Sequence, residues 1–265
     1  MRKCSILGCG WLGLPLAKSL LGKGFGISGS TTSQNKLPVL EKAGINPFLI
    51  SLSIHGIAGN IREFLHGSDT LIIDIPPRAK EDPASFPPKI KALIPFIEEA
   101  GIKMVLFVSS ISIYAEKGLV VMEETVPEPD SPSGTALLQA EALLQKNNLF
   151  STTIIRFGGL IGNDRHPVYH LSGKINLINP DNPVNLIHLN DCIGIIEKIL
   201  EKDIWGETFN AAAPFHPSRK EYYSRKALEL NLPIPEFSNE NISAGKTIDS
   251  EKITRMLGYN FTVSA

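Results

Sequence analysis

Residues 3–13 read KCSILGCGWLG, an apolar run followed by three glycines in the spacing Gly-x-Gly-x-x-Gly. The pattern predicts a buried β-strand over residues 3–7 and a helix over residues 12–21. Within a β-α-β unit, such glycines allow a tight turn, close approach of backbone to a pyrophosphate, and close packing of helix on strand. The stretch therefore predicts a dinucleotide-binding turn. The expected cofactor contacts are Gly8, Gly10, Trp11, Leu12 and Gly13.

The end of the second predicted strand, residues 25–29, bears on which dinucleotide binds. A carboxylate there would bind the ribose 2′-hydroxyl of NAD and repel the 2′-phosphate of NADP. The sequence instead has a run of hydroxyls followed by a lysine, which favours NADP over NAD. The alternative is an ordinary helix cap next to an exposed lysine. The expected contacts are Ser30, Thr31, Thr32 and Lys36.

Short β-branched runs alternate with helical patterns through residue 157. The predicted strands cover residues 3–7, 25–29, 48–52, 70–75, 103–109 and 152–156. This alternation predicts an α/β fold with a doubly wound parallel sheet, the Rossmann arrangement. The pattern loosens afterwards, so we expect residues 1–157 to form the dinucleotide-binding domain. Residues 158–265 would form a small C-terminal α/β substrate lobe over the carboxyl edge of the sheet. Some segments of this lobe could belong to the Rossmann core.

Composition excludes several classes of protein. Hydrophobic residues make up 43% of the 265 residues and charged residues 20%, which is typical of a globular protein. A net charge of −1 provides no basic field for nucleic acid or an anionic membrane. No apolar run reaches the roughly 18 residues of a membrane helix. The three cysteines form no CxxC and the histidines are scattered, so we expect a cytoplasmic protein without a metal, with a small-molecule partner and an undecided oligomeric state.

Five later segments carry a resemblance to a known family. They are VSSISIY at 108–114, EETVP at 123–127, IRFGGLIG at 155–162, NLIHLND at 185–191 and GETFN at 206–210. In this order and spacing they resemble the extended short-chain dehydrogenase/reductase superfamily, in particular its NAD(P)-dependent epimerase/dehydratase group. The resemblance covers nearly the whole chain and implies a nicotinamide cofactor.

The family's catalytic pair is missing from the matching helix. The resemblance implies a Tyr-x-x-x-Lys pair, but with Pro132 and Glu141 as anchors its positions fall on Ser133 and Leu137. A serine hydroxyl is far too basic for the tyrosine's acid–base work, and leucine carries no charge. The chain therefore resembles the atypical branch of the superfamily, and Ser133 is expected to cap the helix instead.

A Tyr-x-x-x-Lys does occur at Tyr222 and Lys226, on a late helix opened by the capping box at Ser218 and Glu221. Any helix places residues four apart on one face. We therefore expect this pair to have no catalytic role.

Other residues remain as candidates for the chemistry. Ser110 stands at the family's serine position, and Tyr114 could donate a proton, although a packed aromatic is the commoner outcome there. Asp74 and Pro76, at the end of the fourth strand, and Ser109, at the end of the fifth, are expected beside the cofactor. The candidate substrate contacts are Ser112, Arg165 and His166.

Two functions follow from these observations. The first is an NADP-dependent oxidoreductase or epimerase/dehydratase-like enzyme acting on a small polar metabolite, such as a sugar derivative. The second is a non-catalytic NADP-binding or redox-sensing protein of the same fold. The residues at 133 and 137 favour the second function, whereas the intact glycine turn and the polar C-terminal region favour the first. The substrate and the reaction direction stay open.

Overall fold

A computed structural model describes residues 2–77, 82–162 and 164–262. The β-strands, in chain order, are β1 Lys3–Leu7, β2 Gly26–Thr31, β3 Asn46–Leu49, β4 Ser51–Ser53, β5 Gly56–Ala58, β6 Thr70–Ile73, β7 Met104–Ser110, β8 Val120–Val121, β9 Ser151–Phe157, β10 Gly159–Ile161, β11 Leu186–His188, β12 Thr208–Ala211 and β13 Thr247–Ile248. The α-helices are α1 Gly13–Gly22, α2 Leu37–Lys42, α3 Ile61–Leu65, α4 Phe86–Glu99, α5 Pro132–Gln145, α6 Val168–Leu171, α7 Leu189–Lys202 and α8 Arg219–Glu229.

Seven of these strands form the central sheet, in the order β12-β9-β7-β6-β1-β2-β3. Every neighbouring pair is parallel. The strand order runs outward in both directions from β1, so the sheet is doubly wound and its switch point lies between β1 and β6. The predicted Rossmann-type α/β fold is confirmed. In such sheets, ligands bind at the carboxyl ends of the strands beside the switch point.

Alternate residues of the central strands enter two separate apolar clusters. Leu71 and Ile73 of β6 pack with the α3, α4 and α5 side of the sheet. Ile72 packs on the opposite side with α1 and α7. Because both faces of β6 are covered by helices, its sequence is continuously apolar rather than alternating.

Two local predictions differ from the structure. The predicted strand at 48–52 is divided: β3 ends at Leu49, and Ser51–Ser53 turns away to pair antiparallel with β5. The cap of α5 is Ser131, whose side chain accepts a hydrogen bond from the Gly134 N–H at 3.1 Å, and not Ser133. Pro132 occupies the first turn, where its missing N–H costs nothing, so the helix begins before Ser133.

The chain after residue 158 contributes to both the sheet and a separate cluster. β12 pairs with β9 at the sheet edge, and α7 packs beside α1. α6 and α8 pack together around Val168, Tyr222 and Tyr223. β13 pairs with β8, so the C-terminal segment is tied back to the loop after β7. Within the described ranges, no helix is long and apolar enough to cross a bilayer.

Candidate functional site

The glycine turn after β1 is built on backbone contacts that exclude side chains. Gly8 has φ +107°, and a Cβ there would lie 2.3 Å from the Asp74 carbonyl oxygen. A Cβ on Gly13 would lie 2.2 Å from the Gly8 carbonyl oxygen. At Gly10 a Cβ would meet nothing within 4 Å, because that backbone faces open space. The three glycines thus do three different things: a positive φ, an open approach and a close helix–strand contact.

The turn is fixed to β2 through Ser30. Its Oγ accepts a hydrogen bond from the Gly8 N–H at 2.9 Å, and its carbonyl oxygen accepts one from the Cys9 N–H at 2.7 Å. Ser30 therefore positions the turn. No side chain caps α1 at Leu12, but the first turn of the helix has no free N–H group: the Gly13 N–H is bonded to the Asp74 carboxyl group, the Leu14 N–H donates to the Gly10 carbonyl oxygen at 3.2 Å, and residue 15 is a proline. Just before the helix, no described residue accepts a hydrogen bond from the Trp11 or Leu12 N–H, so these two groups are available to an anion.

A cleft of about 940 Å³ extends from this turn towards the end of β2. The predicted residues that line it are Gly8, Gly10, Ser30, Thr31, Thr32, Lys36, Asp74 and Pro76. The last residues of β2 provide hydroxyls and no carboxylate, although Asp82, from a short turn before α4, also lines the cleft. The Thr31 Oγ1 accepts the Ser33 N–H at 3.1 Å, whereas Lys36 is exposed.

The cleft continues on the other side of the turn as a cavity of about 1110 Å³. The two volumes share Gly10, Asp74 and Pro76, so they form one groove across the carboxyl edge of the sheet. The second part is lined by predicted residues from four regions of the chain: Trp11, Leu12, Ser109, Ser110, Leu137 and Arg165. Residues far apart in sequence therefore meet along one groove.

Asp74 lies where the two parts of the cleft join. The Gly13 N–H is hydrogen-bonded to its carboxyl group, and Arg165 is close enough to interact electrostatically. Burial nevertheless dominates and raises the pKa of Asp74 to about 7, because the ionised form loses its hydration. Near neutral pH, the charge at this junction therefore depends on the protonation of one carboxyl group.

Trp11 and Arg165 both line the second part of the groove and contact each other there. The Arg165 guanidinium lies over the Trp11 ring at 5.0 Å from its centroid, and the Trp11 Nε1–H donates to Asp164 at 2.9 Å. The loop after β10 is thereby attached to the glycine turn. Arg165, which the sequence offered as a substrate contact, lies beside the glycine turn.

Tyr114, a candidate proton donor, does not line the cleft and is instead a packed aromatic, the alternative that the sequence also offered. Only 1% of Tyr114 is exposed, and its hydroxyl donates to Asn210 at 3.0 Å and accepts a hydrogen bond from Arg156. Burial raises the pKa of Tyr114, although Arg156 opposes that rise. Because the Tyr114 hydroxyl is buried and bonded to Asn210 and Arg156, Tyr114 has a structural role.

Two buried charges next to Tyr114 form an ion pair. Arg156 binds Glu141, with Nη2 to Oε2 at 2.7 Å. Ser109, expected beside the cofactor, lines the cleft but donates its hydroxyl to Glu141 at 2.5 Å. Its side chain is therefore committed to this network.

Positions 133 and 137, where the resemblance implies a tyrosine and a lysine, have different surroundings. Leu137 lines the cleft beside Ser110, so an apolar side chain occupies the position where the resemblance implies a lysine. Ser133 is exposed, in the first turn of α5. Ser110 itself accepts the Ser112 N–H at 3.2 Å and caps the short 3₁₀ turn Ile111–Ile113.

His166 is also placed differently from the sequence expectation. Its Nε2 is 2.9 Å from the Tyr222 hydroxyl, its Nδ1 accepts the Val168 N–H at 3.1 Å, and it is 7% exposed. Burial lowers the pKa of His166 to about 4, so the ring is neutral at pH 7. Both ring nitrogens are occupied, which contradicts a substrate contact for His166 and gives Tyr222 a packing role.

Sequence reasoning missed a third cavity, of about 930 Å³, next to the Ser110 end of the cleft. The shared residues are Ser110, Gly158 and Gly159. Ser112, a predicted substrate contact, lines it together with Glu116, Asn182, Asn185, Arg219 and Lys246. These side chains come from separate segments without a common motif, so the sequence offered no signal for them.

The fold and the groove define a Rossmann-type α/β protein whose structural neighbours are NAD-dependent epimerases and short-chain dehydrogenase/reductase proteins. UDP-glucuronic acid 4-epimerase from Bacillus cereus, solved with UDP-glucuronic acid and NAD, has a TM-score of 0.83 at 19% identity, covering 99% of this chain and 95% of that one. A functionally unknown conserved protein from Silicibacter pomeroyi has a TM-score of 0.81 at 20% identity, covering 98% and 94%. At such identities the likeness is one of fold.

Sequence comparison gives the family. No protein-family profile matches the chain. Protein YeeZ of Escherichia coli strain K12 is 33% identical over 266 residues, covering 98% of this chain and 96% of that protein. The chain belongs to the family of Protein YeeZ.

Proposed function

We propose that the chain binds NADP, in preference to NAD, along the groove and transfers hydride to or from a small polar substrate beside Ser110. The observation that carries this proposal is the continuity of the groove from Lys36 past the glycine turn to Ser110. A dinucleotide needs such an extended site with a phosphate-binding turn at its middle. The epimerase from Bacillus cereus, which has this fold, was solved with NAD.

The residues of the groove fit a dinucleotide. Backbone at Gly10 is open to a close approach, and the Trp11 and Leu12 N–H groups just before α1 are available to a pyrophosphate. Thr31, Thr32 and Lys36 offer two hydroxyls and one cation to a 2′-phosphate. These contacts support NADP over NAD.

Hydride chemistry would come from the nicotinamide of the bound cofactor. The protein's part is to hold the substrate oxygen with the Ser110 hydroxyl and to keep water out with Leu137. Among the described residues, no tyrosine lines the cleft, and Tyr223 on α8 lines only the third cavity. The reacting proton would therefore pass through Ser110, bound water or the substrate itself.

The side chains at the Ser110 end of the groove support a second function, that of a non-catalytic NADP-binding protein. With Leu137 in the groove, Ser133 exposed and Tyr114 buried, the family's acid–base pair has no replacement at those positions. A protein that binds NADP without turnover, and so reports its presence or redox state, would keep the glycine turn and lose this pair.

Calorimetric titration with NADPH and NADH tests the cofactor. NADPH should bind roughly tenfold to a hundredfold more tightly, which corresponds to one charge-assisted contact of about 1.5–3 kcal/mol. Lys36→Ala should remove most of that difference, whereas Lys42→Ala, an exposed lysine at the end of α2, should preserve it. Equal affinities in the native chain would contradict the assignment to NADP.

Oxidation of NADPH with a panel of aldehydes, ketones and keto-sugars separates the two functions. Turnover of any carbonyl compound at a rate above the protein-free control supports the enzyme. Tight NADPH binding without turnover across a broad panel would favour the non-catalytic function.

A further inference from the structure

The third cavity contains a buried lysine from the C-terminal segment. Lys246 is 8% exposed and lines the cavity with Ser110 and Ser112. Its ammonium donates to the Tyr114 carbonyl oxygen, at the end of the 3₁₀ turn that Ser110 caps. Lys246 and Ser110 therefore line the same cavity, at the two ends of one short turn.

The backbone around Lys246 is held on both sides. Asn185 donates through Nδ2 to the Lys246 carbonyl oxygen at 2.8 Å and accepts the Ile248 N–H through Oδ1 at 2.9 Å. The Gly118 N–H donates to the Gly245 carbonyl oxygen at 2.7 Å. A lysine fixed in this way cannot swing into solvent with its chain segment, so its place in the cavity is a property of the fold.

Within the part of the chain that the structure describes, the Lys246 ammonium lacks a close counterion. Among the described residues, no carboxylate forms an ion pair with Lys246 within 4.0 Å. Burial lowers the pKa of Lys246, while the more distant Glu116 and Asp130 oppose that change. An ammonium has three N–H donors, and burying a cation is costly unless it is paired. The arrangement leaves room for an anion from outside the chain.

The other charged groups that line the cavity also favour the binding of an anion. Arg219 also lines it, held by a bond from Nη1 to the Ile178 carbonyl oxygen at 2.9 Å and lying over the Phe237 ring. Glu116 is the one carboxylate among the described lining residues, and it accepts a hydrogen bond from the Ser243 hydroxyl at 2.8 Å. Two cations therefore face one anion.

We infer that Lys246 makes this cavity selective for a substrate with a carboxylate or phosphate group. The inference rests on the proposed function, because it takes Ser110 as the place of the reacting oxygen. The 3₁₀ turn that separates Ser110 from Tyr114 has three residues, Ile111–Ile113, and rises about 6 Å at roughly 2 Å per residue. The anionic group would therefore lie several bonds from the reacting carbon, as in a small oxo-acid or a phosphorylated carbonyl compound.

Binding of simple anions tests the inference without any turnover. Malonate and inorganic phosphate are titrated calorimetrically into the native chain, Lys246→Gln, Lys246→Arg and the control Lys220→Gln, an exposed lysine on α8 outside the cavity lining. Tighter binding of malonate indicates a carboxylate, and tighter binding of phosphate a phosphate group. Lys246→Gln should weaken the preferred anion tenfold or more, whereas Lys246→Arg and Lys220→Gln should stay within about threefold. Equal affinity of the native chain and Lys246→Gln, or no binding by the native chain, would overturn it.

A measurement on the native chain guards against a folding defect in the variants. The preferred anion at saturation should slow the reductive methylation of Lys246 fivefold or more, read by peptide mass spectrometry, and leave that of Lys220 unchanged. Equal rates at Lys246 with and without the anion would contradict the inference.

Matched substrates then separate this inference from the proposed function. Succinic semialdehyde should be reduced at least tenfold more efficiently than butanal, and Lys246→Gln should abolish that preference. Anion binding that depends on Lys246, without reduction of either aldehyde, would sustain the anion site and reject the hydride chemistry. Equal reduction of the two aldehydes would reject the anion site alone.

Discussion

At the glycine-turn end of the groove, backbone contacts leave almost no freedom of sequence, whereas the Ser110 end is lined by side chains. A Cβ on Gly8 or Gly13 would overlap carbonyl oxygens at 2.3 and 2.2 Å. At the other end, the apolar side chain of Leu137 lines the groove and the side chain of Ser133 is exposed. The shape of the glycine turn is therefore set by backbone contacts, whereas any chemistry at the Ser110 end would depend on its side chains.

The Ser110 end also differs from the glycine turn in what lies next to it, because the Tyr114 hydroxyl belongs to a buried polar network. The hydroxyl is bound to Asn210 and Arg156 in a buried network that continues to Glu141 and Ser109. These groups join β7, α5, β9 and β12 beneath the groove. The Ser110 end is thus supported by a buried polar network, which stabilises the site without contributing a proton to it.

The largest expected effect tests the rigidity of the glycine turn. Gly13→Ala should lower NADPH affinity by about a hundredfold or more, equivalent to roughly 3 kcal/mol, because the helix must move away from the Gly8 carbonyl oxygen. Gly22→Ala is the control in the same helix, since a Cβ there meets nothing within 4 Å. Calorimetry on both variants, with melting temperatures to verify folding, decides the matter. Unchanged affinity in Gly13→Ala would remove the contrast between the two ends.

Ser110→Ala should affect turnover and leave cofactor binding intact. Loss of one hydrogen bond to the substrate oxygen should slow hydride transfer about tenfold, from roughly 1.4 kcal/mol of lost transition-state stabilisation. Ser110→Thr, which keeps the hydroxyl, is the matched control. NADPH absorbance gives the rate and calorimetry the affinity. If Ser110→Ala weakens NADPH binding as much as it slows turnover, cofactor binding and turnover do not depend on separate ends of the groove.

Asp74 should make NADPH affinity depend on pH at the junction of the two ends. Burial raises the pKa of Asp74 to about 7, so above that pH a carboxylate lies beside the glycine turn, where the pyrophosphate would bind. Affinity should therefore fall by up to about tenfold between pH 6 and 8, which is the limit for one proton taken up on binding. Asp74→Asn should remove this component while leaving the titration of the nucleotide itself. Parallel profiles for the two proteins would show that Asp74 does not titrate in this range.

The smallest expected effect on turnover is that of Tyr114→Phe. The change should destabilise the fold by about 1–3 kcal/mol, since Arg156 and Asn210 lose a buried partner, and should leave hydride transfer by the folded protein within about twofold. Urea denaturation measures the first quantity and NADPH absorbance the second. A fall in turnover of roughly 10²–10⁴-fold with intact folding would instead make Tyr114 the general acid.

Much of the fold followed from local pattern. The strand–glycine–helix sequence at residues 3–13 and the alternation through residue 157 indicated the doubly wound parallel sheet, because apolar runs bounded by turns reflect burial directly. The pairing of Arg156 with Glu141 was also foreseeable, since a charged residue in a buried strand needs a partner. Local pattern failed at residues 48–52, where tertiary contacts divide one apolar run between two sheets.

The sequence alone determined the glycine turn, the lack of a carboxylate at the end of β2, and the serine and leucine at positions 133 and 137, because each depends on the identity of residues at a short fixed spacing. Only the tertiary structure decided that Tyr114 and His166 are buried, that Leu137 and Arg165 reach the groove, and that Lys246 lies in a cavity beside Ser110. A side chain's surroundings come mostly from segments distant in sequence. Lys246 and Ser110 are brought near each other by the pairing of β13 with β8, and nothing in either local sequence specifies that pairing.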